Sequence, residues 1–161
     1  MNRRHALIPI LAAVVACGSS GSSGPSPTYD NIAGTYGGAV AGTSSGVALQ
    51  GTISLTVTQS GASLGGSYSV AGTLFDGVTT VQSNETGSLA GTIASGSNPS
   101  VNVTATSRRS VGYGLCFIQT DFSGTYDSTN HVLALTGTIP FFDARCHLVM
   151  TYPNTVIVLS K

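Results

Sequence analysis

The chain has 161 residues, a formal net charge of zero and only 7% charged residues, while 41% of its residues are apolar. This length supports one domain with its own core, and the apolar content excludes a disordered chain, which lacks apolar residues or carries a high net charge. A single Glu and a single Lys leave too few residues of the kind that fills exposed helix faces, which excludes a helical protein. No basic patch remains once Arg3 and Arg4 are set aside, so we expect no nucleic-acid partner.

The first sixteen residues have the organisation of a bacterial export signal. Arg3 and Arg4 precede an apolar stretch, 6–16, that is too short to span a bilayer, which needs about 20 apolar residues. The end of this stretch, Val14-Val15-Ala16-Cys17, resembles the bacterial lipobox. The resemblance implies that the Cys17 thiol receives a diacylglycerol, that the signal peptide 1–16 is removed, and that the new amino terminus is acylated, for example with palmitate. The alternative is an ordinary signal peptide with an incidental cysteine.

Residues 17–30 are predicted to comprise the lipidated cysteine and a flexible Gly/Ser/Pro linker, which includes GSSGSSGPSPT at 18–28. Such a linker has a root-mean-square reach of about 20 Å, enough to hold a folded domain just off a membrane. The residue after the cysteine is Gly18, whereas Asp at this position resembles an inner-membrane retention signal. We therefore expect an exported, lipid-anchored protein, at the outer membrane rather than the inner membrane, with one folded domain at 31–161.

From residue 31 onwards apolar and polar residues alternate with a period of two, which indicates half-buried antiparallel strands. In GTISLTVTQ, for example, Ile53, Leu55 and Val57 share one face. Turn signals separate eight predicted strands: 33–43, 47–59, 63–74, 78–93, 100–108, 114–126, 131–141 and 146–160, the last with a break at Pro153. The predicted fold is all-β, an antiparallel meander closed into an up-and-down barrel, with a two-sheet β-sandwich as the alternative.

A short pattern, glycine followed by Thr or Ser and then an apolar residue, recurs along these strands. It begins at Gly34, Gly51, Gly66, Gly72, Gly87, Gly91, Gly124 and Gly137. Its irregular spacing excludes a solenoid of fixed period, and glycine within a strand permits sharp bending. The pattern therefore predicts scaffold for a small curved barrel rather than a binding motif.

The stretch IAGTYGG at 32–38 resembles the glycine-x-aromatic opening of the first strand in calycin barrels, the lipocalins and avidins. Tyr36 stands where those families carry Trp, and TDF at 120–122 resembles a second lipocalin motif. The resemblance implies an eight-stranded barrel with a ligand cup. It carries no ligand-contact residue over to this chain.

Two cysteines remain once Cys17 is lipidated, and in an oxidising compartment such a pair predicts a disulfide between Cys116 and Cys146. If DSTN at 127–130 forms a hairpin, Tyr126 lies opposite His131 and residue 116 faces residue 141. Both cysteines then lie near one end of the domain. Because alternate strands are about 9–10 Å apart, the turn before Cys146 must fold back over Cys116.

A zinc site formed by both cysteines, His131 and His147 is the competing interpretation. Adjacent residues of a strand point to opposite faces, so Cys146 and His147 do not suit one metal ion. No close-spaced ligand pair of the Cys-x-x-Cys type is present in the sequence. We therefore expect no metal and no other cofactor.

A possible binding rim consists of Tyr113, Phe141, Phe142 and Arg145, which gather near the predicted disulfide. Aromatic residues beside an arginine are typical of interface hot spots. The alternative, which we favour, is that the rings close the barrel end as part of the core.

No catalytic constellation is visible in the sequence. There is no Gly-x-Ser-x-Gly elbow, His131 and His147 are the only candidate bases, and most carboxylates fall in predicted turns or loops. We therefore expect a non-enzymatic, lipid-anchored envelope domain that binds a small apolar ligand or an envelope protein. One alternative is a structural or surface-interaction lipoprotein with a filled core, and the least favoured is a hydrolase. A cavity of at least about 300 Å³ would favour a ligand.

Overall fold

The structure is a computed structural model and describes residues 26–75, 80–111, 114–143 and 145–161. The predicted signal peptide, the lipidation residue Cys17 and most of the linker lie outside the described residues, as does Tyr113 of the predicted rim. Eight strands are present: β1 (Gly34–Ser44), β2 (Val47–Ser60), β3 (Ser63–Phe75), β4 (Thr80–Ile93), β5 (Ser100–Val111), β6 (Gly114–Asp127), β7 (Val132–Phe142) and β8 (Leu148–Ser160). In these ranges there is no helix long and apolar enough to cross a membrane.

Each strand pairs with the next one in the chain, and the barrel closes where β1 pairs antiparallel with β8, from Gly37↔Ser160 to Ala41↔Val156. This closure confirms the predicted up-and-down barrel and rejects the sandwich. Closure pairs the outer edges of β1 and β8, which an open meander would expose to solvent.

The period-two pattern places the apolar side chains inside the barrel. In β2, Leu49, Leu55 and Val57 are buried, whereas Thr52 and Thr56 on the other face are exposed. The same alternation operates in β5 and β7, where the buried residues are Val101, Val103, Leu133 and Leu135. The core is therefore the barrel interior, and Ser and Thr residues cover much of the outside.

All eight glycines of the recurring pattern lie within strands. A Cβ on Gly51 would lie 2.5 Å from the Ala71 carbonyl oxygen, and a Cβ on Gly124 would overlap the Ala134 carbonyl oxygen. The backbone of the neighbouring strand thus occupies the space that a side chain would need. These close approaches let the sheet coil tightly, as the scaffold interpretation requires.

The β6–β7 hairpin differs from its predicted register. Asp127 pairs with Val132, so the turn comprises residues 128–131 and the prediction that Tyr126 lies opposite His131 is wrong. The Asp127 carboxylate accepts hydrogen bonds from the backbone N–H groups of Thr129 (2.9 Å) and Asn130 (3.1 Å), which keeps Asp127 before the turn. His131 has φ +55°, the left-handed conformation, and this keeps it within the turn.

One end of the barrel is closed by the segment that leads into β1, and we call it the closed end. Ile32 is completely buried there. The Gln59 side chain holds the segment in place, since its Oε1 accepts from the Ile32 N–H (2.8 Å) and its Nε2 donates to the carbonyl oxygens of Asp30 (2.9 Å) and Gly61 (3.0 Å). The Tyr36 hydroxyl donates to the Ile32 carbonyl oxygen at 2.7 Å.

Candidate functional site

At the opposite end, the barrel wall opens between β6 and β7. Their pairing begins at Asp127↔Val132 and stops at Phe122↔Gly137. Beyond that point β6 continues to pair with β5, and β7 continues to pair with β8. The two strands therefore separate as they approach this end.

A disulfide between Cys116 and Cys146 links the separated parts, with 5.8 Å between the Cα atoms, and we call this the disulfide end. The predicted pair is confirmed. The turn before β8 folds back towards β6, as this pair was predicted to require. The predicted pairing of residue 116 with residue 141 is wrong, because the β6–β7 ladder ends before it reaches either residue. Cys116 is buried, and Cys146 has φ +67° in the turn before β8.

The turn that carries Cys146 is organised by Asp143. One oxygen of its carboxylate accepts from the backbone N–H groups of Arg145 (2.8 Å) and His147 (2.9 Å), and the other lies 3.2 Å from His147 Nδ1. These contacts, the His147 N–H first, lower the pKa of the Asp143 carboxyl below its usual value. The turn is thereby shaped to present Cys146 to β6.

The four residues considered for a zinc site do not lie together in the structure. Both cysteines are in the disulfide, and His147 lies in the turn beside Asp143. His131 is at the closed end, where its Nδ1 lies 3.0 Å from the Tyr126 hydroxyl. Among the residues that the structure describes, no group of three or more His, Cys, Asp or Glu side chains is placed to hold a metal ion.

A cavity of about 110 Å³ lies inside the barrel and extends towards the disulfide end. Leu55, Leu89 and Leu159 line its inner part, and Phe141 and Phe142 line it near the turn. The volume is below the roughly 300 Å³ at which pockets enclose a whole drug-sized ligand. The space therefore suits a small apolar group, or one end of a longer molecule.

A polar cluster of Tyr68, Glu85 and Ser107 interrupts the apolar lining. The Tyr68 hydroxyl donates to Glu85 Oε1 at 3.3 Å, and the buried Ser107 hydroxyl donates to the same oxygen. Burial, followed by the nearby Glu85 charge, raises the pKa of Tyr68 to about 12. Tyr68 therefore remains protonated at neutral pH and acts as a hydrogen-bond donor to Glu85.

Glu85 was not chosen as a site residue, although the predicted strand 78–93 contains it. In the structure it lies within β4 and lines the cavity. A signal was available in ETGSLAGTI. Glu85 is in phase with Leu89 and Ile93, which are buried. The period-two alternation alone therefore places the only Glu of the chain on the inner face.

Tyr152 is another residue with a polar group that lines the cavity. It is 0% exposed, and its hydroxyl has no hydrogen-bond partner. Burial raises the pKa of this phenol above its ordinary value. A buried hydroxyl without a partner is uncommon in native proteins and calls for an explanation.

A β-bulge in β8 turns Tyr152 towards the interior. The β7–β8 register shifts between Gly137↔Thr155 and Ile139↔Tyr152, so β8 contains an extra residue at Pro153–Asn154. Asn154 has φ +55°, and the Thr155 hydroxyl donates to the Tyr152 carbonyl oxygen at 2.9 Å. The predicted break at Pro153 is thus a bulge within one continuous strand.

The described members of the predicted rim take different positions. Phe141 packs against the core, and both Phe141 and Phe142 line the cavity. Arg145 is exposed in the turn that carries Cys146. Neither of the candidate bases, His131 and His147, lines the cavity.

Comparison with known proteins finds no matching family profile, and neither the curated proteins nor the solved structures give a significant match. The eight-stranded antiparallel barrel is compatible with the calycin architecture that the first-strand motif resembles. This compatibility concerns the architecture alone.

Proposed function

We propose that this protein is a non-enzymatic, lipid-anchored domain of the bacterial cell envelope that binds a small apolar ligand, or the apolar end of a larger one, inside its barrel. The observation that carries the proposal is the apolar cavity at the disulfide end, with Tyr152 and the Glu85 cluster on its wall. Small-molecule sites are typically apolar cavities with a few polar groups placed on the wall.

The size of the cavity limits what it takes up. An apolar cavity of about 150 Å³ binds the six carbons of benzene, so a space of about 110 Å³ accepts about four to five carbon atoms. At about 0.8 kcal/mol per buried methylene, four carbons contribute about 3 kcal/mol. This corresponds to an affinity no tighter than the millimolar range, so a ligand bound more tightly needs polar contacts as well.

The binding test uses the mature, acylated protein in lipid nanodiscs with 13C-labelled Leu, Val and Ile methyl groups. We expect n-pentane to shift the methyl signals of Leu55, Leu89 and Leu159, which line the cavity, and to leave those of Val156 and Val158 unchanged. Val156 and Val158 are about half exposed, so they report on non-specific contact with the probe.

A matched pair of variants tests the location. Ala105→Leu fills the cavity from its wall, whereas Ala90→Leu adds the same atoms on the exposed face of β4. We expect Ala105→Leu to abolish the shifts and Ala90→Leu to preserve them. Equal shifts in both variants, or none in the wild type, would overturn the ligand proposal.

The lipid anchor is supported by the lipobox-like stretch that ends at Cys17. We expect wild-type cells to incorporate radiolabelled palmitate into this protein and the Cys17→Ala variant to lose that label. The variant is also expected to leave the membrane fraction. Unchanged membrane partitioning of Cys17→Ala would contradict the anchor.

The small volume of the cavity favours one second function, a structural or surface-interaction lipoprotein with an essentially filled core. An absence of probe-induced shifts at the cavity methyls in the wild type would support it. A hydrolase receives no support from the described residues, since neither His131 nor His147 lines the cavity.

A further inference from the structure

The three fully buried tyrosines of the described chain, Tyr36, Tyr126 and Tyr152, differ in how their hydroxyls are satisfied. Tyr36 donates to the Ile32 carbonyl oxygen (2.7 Å), and the Tyr126 hydroxyl lies 3.0 Å from His131 Nδ1. Tyr152 is among the residues that line the cavity, and its hydroxyl has no partner. That hydroxyl has less than 1 Å² of accessible surface, so a ligand in the cavity reaches it only after a small shift of the side chains around it. A phenylalanine would fill the same space without the cost of an unmade hydrogen bond.

The bulge in β8 is the reason that Tyr152 faces the barrel interior. Leu159, Ile157 and Thr155 are buried at alternate positions, and unbroken alternation would turn Pro153 inward and Tyr152 outward. The extra residue at Pro153–Asn154 reverses this phase and brings Tyr152 inside. Bulges are found beside functional sites, where they redirect a side chain.

The geometry points to Tyr152 as the polar anchor of the cavity: its hydroxyl donates a hydrogen bond to an oxygen atom of a neutral ligand, such as the carbonyl oxygen of a ketone or an ester, whose apolar part fills the rest of the space. This inference rests on the proposed function and names the class of ligand. Burial raises the pKa of Tyr152, so the phenol stays protonated and keeps its O–H donor for an acceptor atom of the ligand.

The Glu85 cluster favours a neutral ligand. Glu85 lines the same cavity and accepts from the hydroxyls of Tyr68 and Ser107. A ligand carboxylate would bring a second negative charge into an apolar space that already contains Glu85, which is unfavourable. A lone water molecule is a poor alternative at Tyr152, since buried water normally makes two to four hydrogen bonds.

The test compares three five-carbon probes, 2-pentanone, n-pentane and pentanoate at neutral pH, on the mature acylated protein in nanodiscs. Dissociation constants come from titration of the Leu55 and Leu159 methyl signals. We expect Tyr152→Phe to weaken 2-pentanone binding about tenfold and to leave n-pentane binding unchanged, since only the ketone has an acceptor. The matched variant Tyr36→Phe, which removes a hydroxyl at the closed end, is expected to leave both affinities unchanged.

The carbonyl carbon of 13C-labelled 2-pentanone provides a direct readout. Its signal is expected to move downfield on binding to the wild type, as hydrogen bonding requires, and not on binding to Tyr152→Phe. Equal 2-pentanone affinities in the wild type and Tyr152→Phe, or equal losses of affinity in Tyr36→Phe and Tyr152→Phe, would overturn the role of Tyr152. Neither result would contradict the apolar ligand site itself. Pentanoate binding as tightly as 2-pentanone would overturn the requirement for a neutral ligand. If no probe shifts the cavity methyls of the wild type, the proposed function itself fails.

Discussion

The two ends of the barrel are held together by different interactions. At the closed end Ile32 is buried, its N–H donates to Gln59 and its carbonyl oxygen accepts from Tyr36. The hydroxyl of Tyr126 lies within hydrogen-bond distance of His131. The β6–β7 ladder is intact there, from Asp127↔Val132 onwards. Packing and backbone pairing act together, and the buried tyrosine hydroxyls have partners.

At the disulfide end the same two strands separate after Phe122↔Gly137, and one covalent bond, Cys116–Cys146, joins what the ladder no longer holds. The cavity and the unpartnered Tyr152 hydroxyl lie on this side. A crosslink thus joins β6 to the turn before β8 where the β6–β7 ladder has ended, and the cavity extends towards the same end. A site placed on such rigid strands is held more precisely than one on loops.

Removing the disulfide is the largest expected perturbation. The double variant Cys116→Ala/Cys146→Ala should lose about 3–4 kcal/mol in the free energy of unfolding, because the bond closes a loop with a sequence separation of 30 residues. Urea denaturation measures this change. In hydrogen exchange, the amides of 114–121 and 138–142 should lose protection first, while the closed end remains protected until global unfolding. An equal loss of local protection at both ends would contradict the claim that the disulfide stabilises mainly the disulfide end.

Glycine substitutions test whether the ladder is tighter at the closed end. Gly124→Ala should cost about 3 kcal/mol in stability, because the new Cβ overlaps the Ala134 carbonyl oxygen of the paired strand. Gly137→Ala, at the point where the ladder stops, should cost less, because its nearest atom belongs to the Phe122 ring, although the Asp121 carbonyl oxygen is 2.6 Å away. Gly37→Ala is the control, with nothing within 4 Å of its Cβ and an effect within about 0.5 kcal/mol. Equal unfolding midpoints for Gly124→Ala and Gly137→Ala would contradict the difference between the ends.

Removing one hydroxyl at each end should change stability in opposite directions. Tyr36→Phe leaves the Ile32 carbonyl oxygen without its side-chain donor and should lower the free energy of unfolding by about 1 kcal/mol. Tyr152→Phe removes a buried hydroxyl that has no partner and should raise it by about 1 kcal/mol. Chemical denaturation of the two variants measures both changes. A loss of stability in Tyr152→Phe would show that its hydroxyl is satisfied in the folded protein.

The smallest effect concerns pH, where the two ends behave alike. Hydrogen bonds from Asn130, its side chain first, lower the pKa of Asp127 from 3.8, and those in the 143–147 turn lower the pKa of Asp143 from the same value. A depressed carboxyl pKa contributes stability above its unfolded value, and this contribution is lost as the pH falls through the folded pKa. The urea midpoint should therefore fall below about pH 4. Asp127→Asn and Asp143→Asn should each reduce that acid-induced fall, and an unchanged pH profile in both would contradict the assignment.

Much of the fold was predictable because it depends on local patterns. The eight strands lie close to their predicted positions, and the buried faces of β2, β5 and β7 follow from alternation. The Cys116–Cys146 pair was predicted from the expectation of an exported protein and from the even number of remaining cysteines, and the structure contains it. The hairpin register was wrong by two residues, since Tyr126 pairs with Leu133 and not with His131. The Asp127 carboxylate and the left-handed His131 decide where the turn begins and ends.

The candidate site was less predictable, because its residues are far apart in the chain. Glu85 carried a usable signal in its phase with Leu89, but Tyr152 did not, since YPN was predicted as a strand break and the bulge reverses the phase of β8. A bulge depends on how well two strands fit each other along their whole length. The position of a bulge therefore cannot be predicted from a short stretch of sequence.

By itself, the sequence determined the alternating strands, the approximate position of the turns, the glycines at which strands approach closely and the cysteines available to pair. These properties depend on neighbouring residues and on side-chain size. Only the tertiary structure decided that the sheet closes as a barrel, that the β6–β7 ladder ends at Phe122↔Gly137, and that Glu85 and Tyr152 line one cavity. The physical reason is that closure, register and bulges minimise the free energy of all eight strands together, so they become defined only when distant parts of the chain meet.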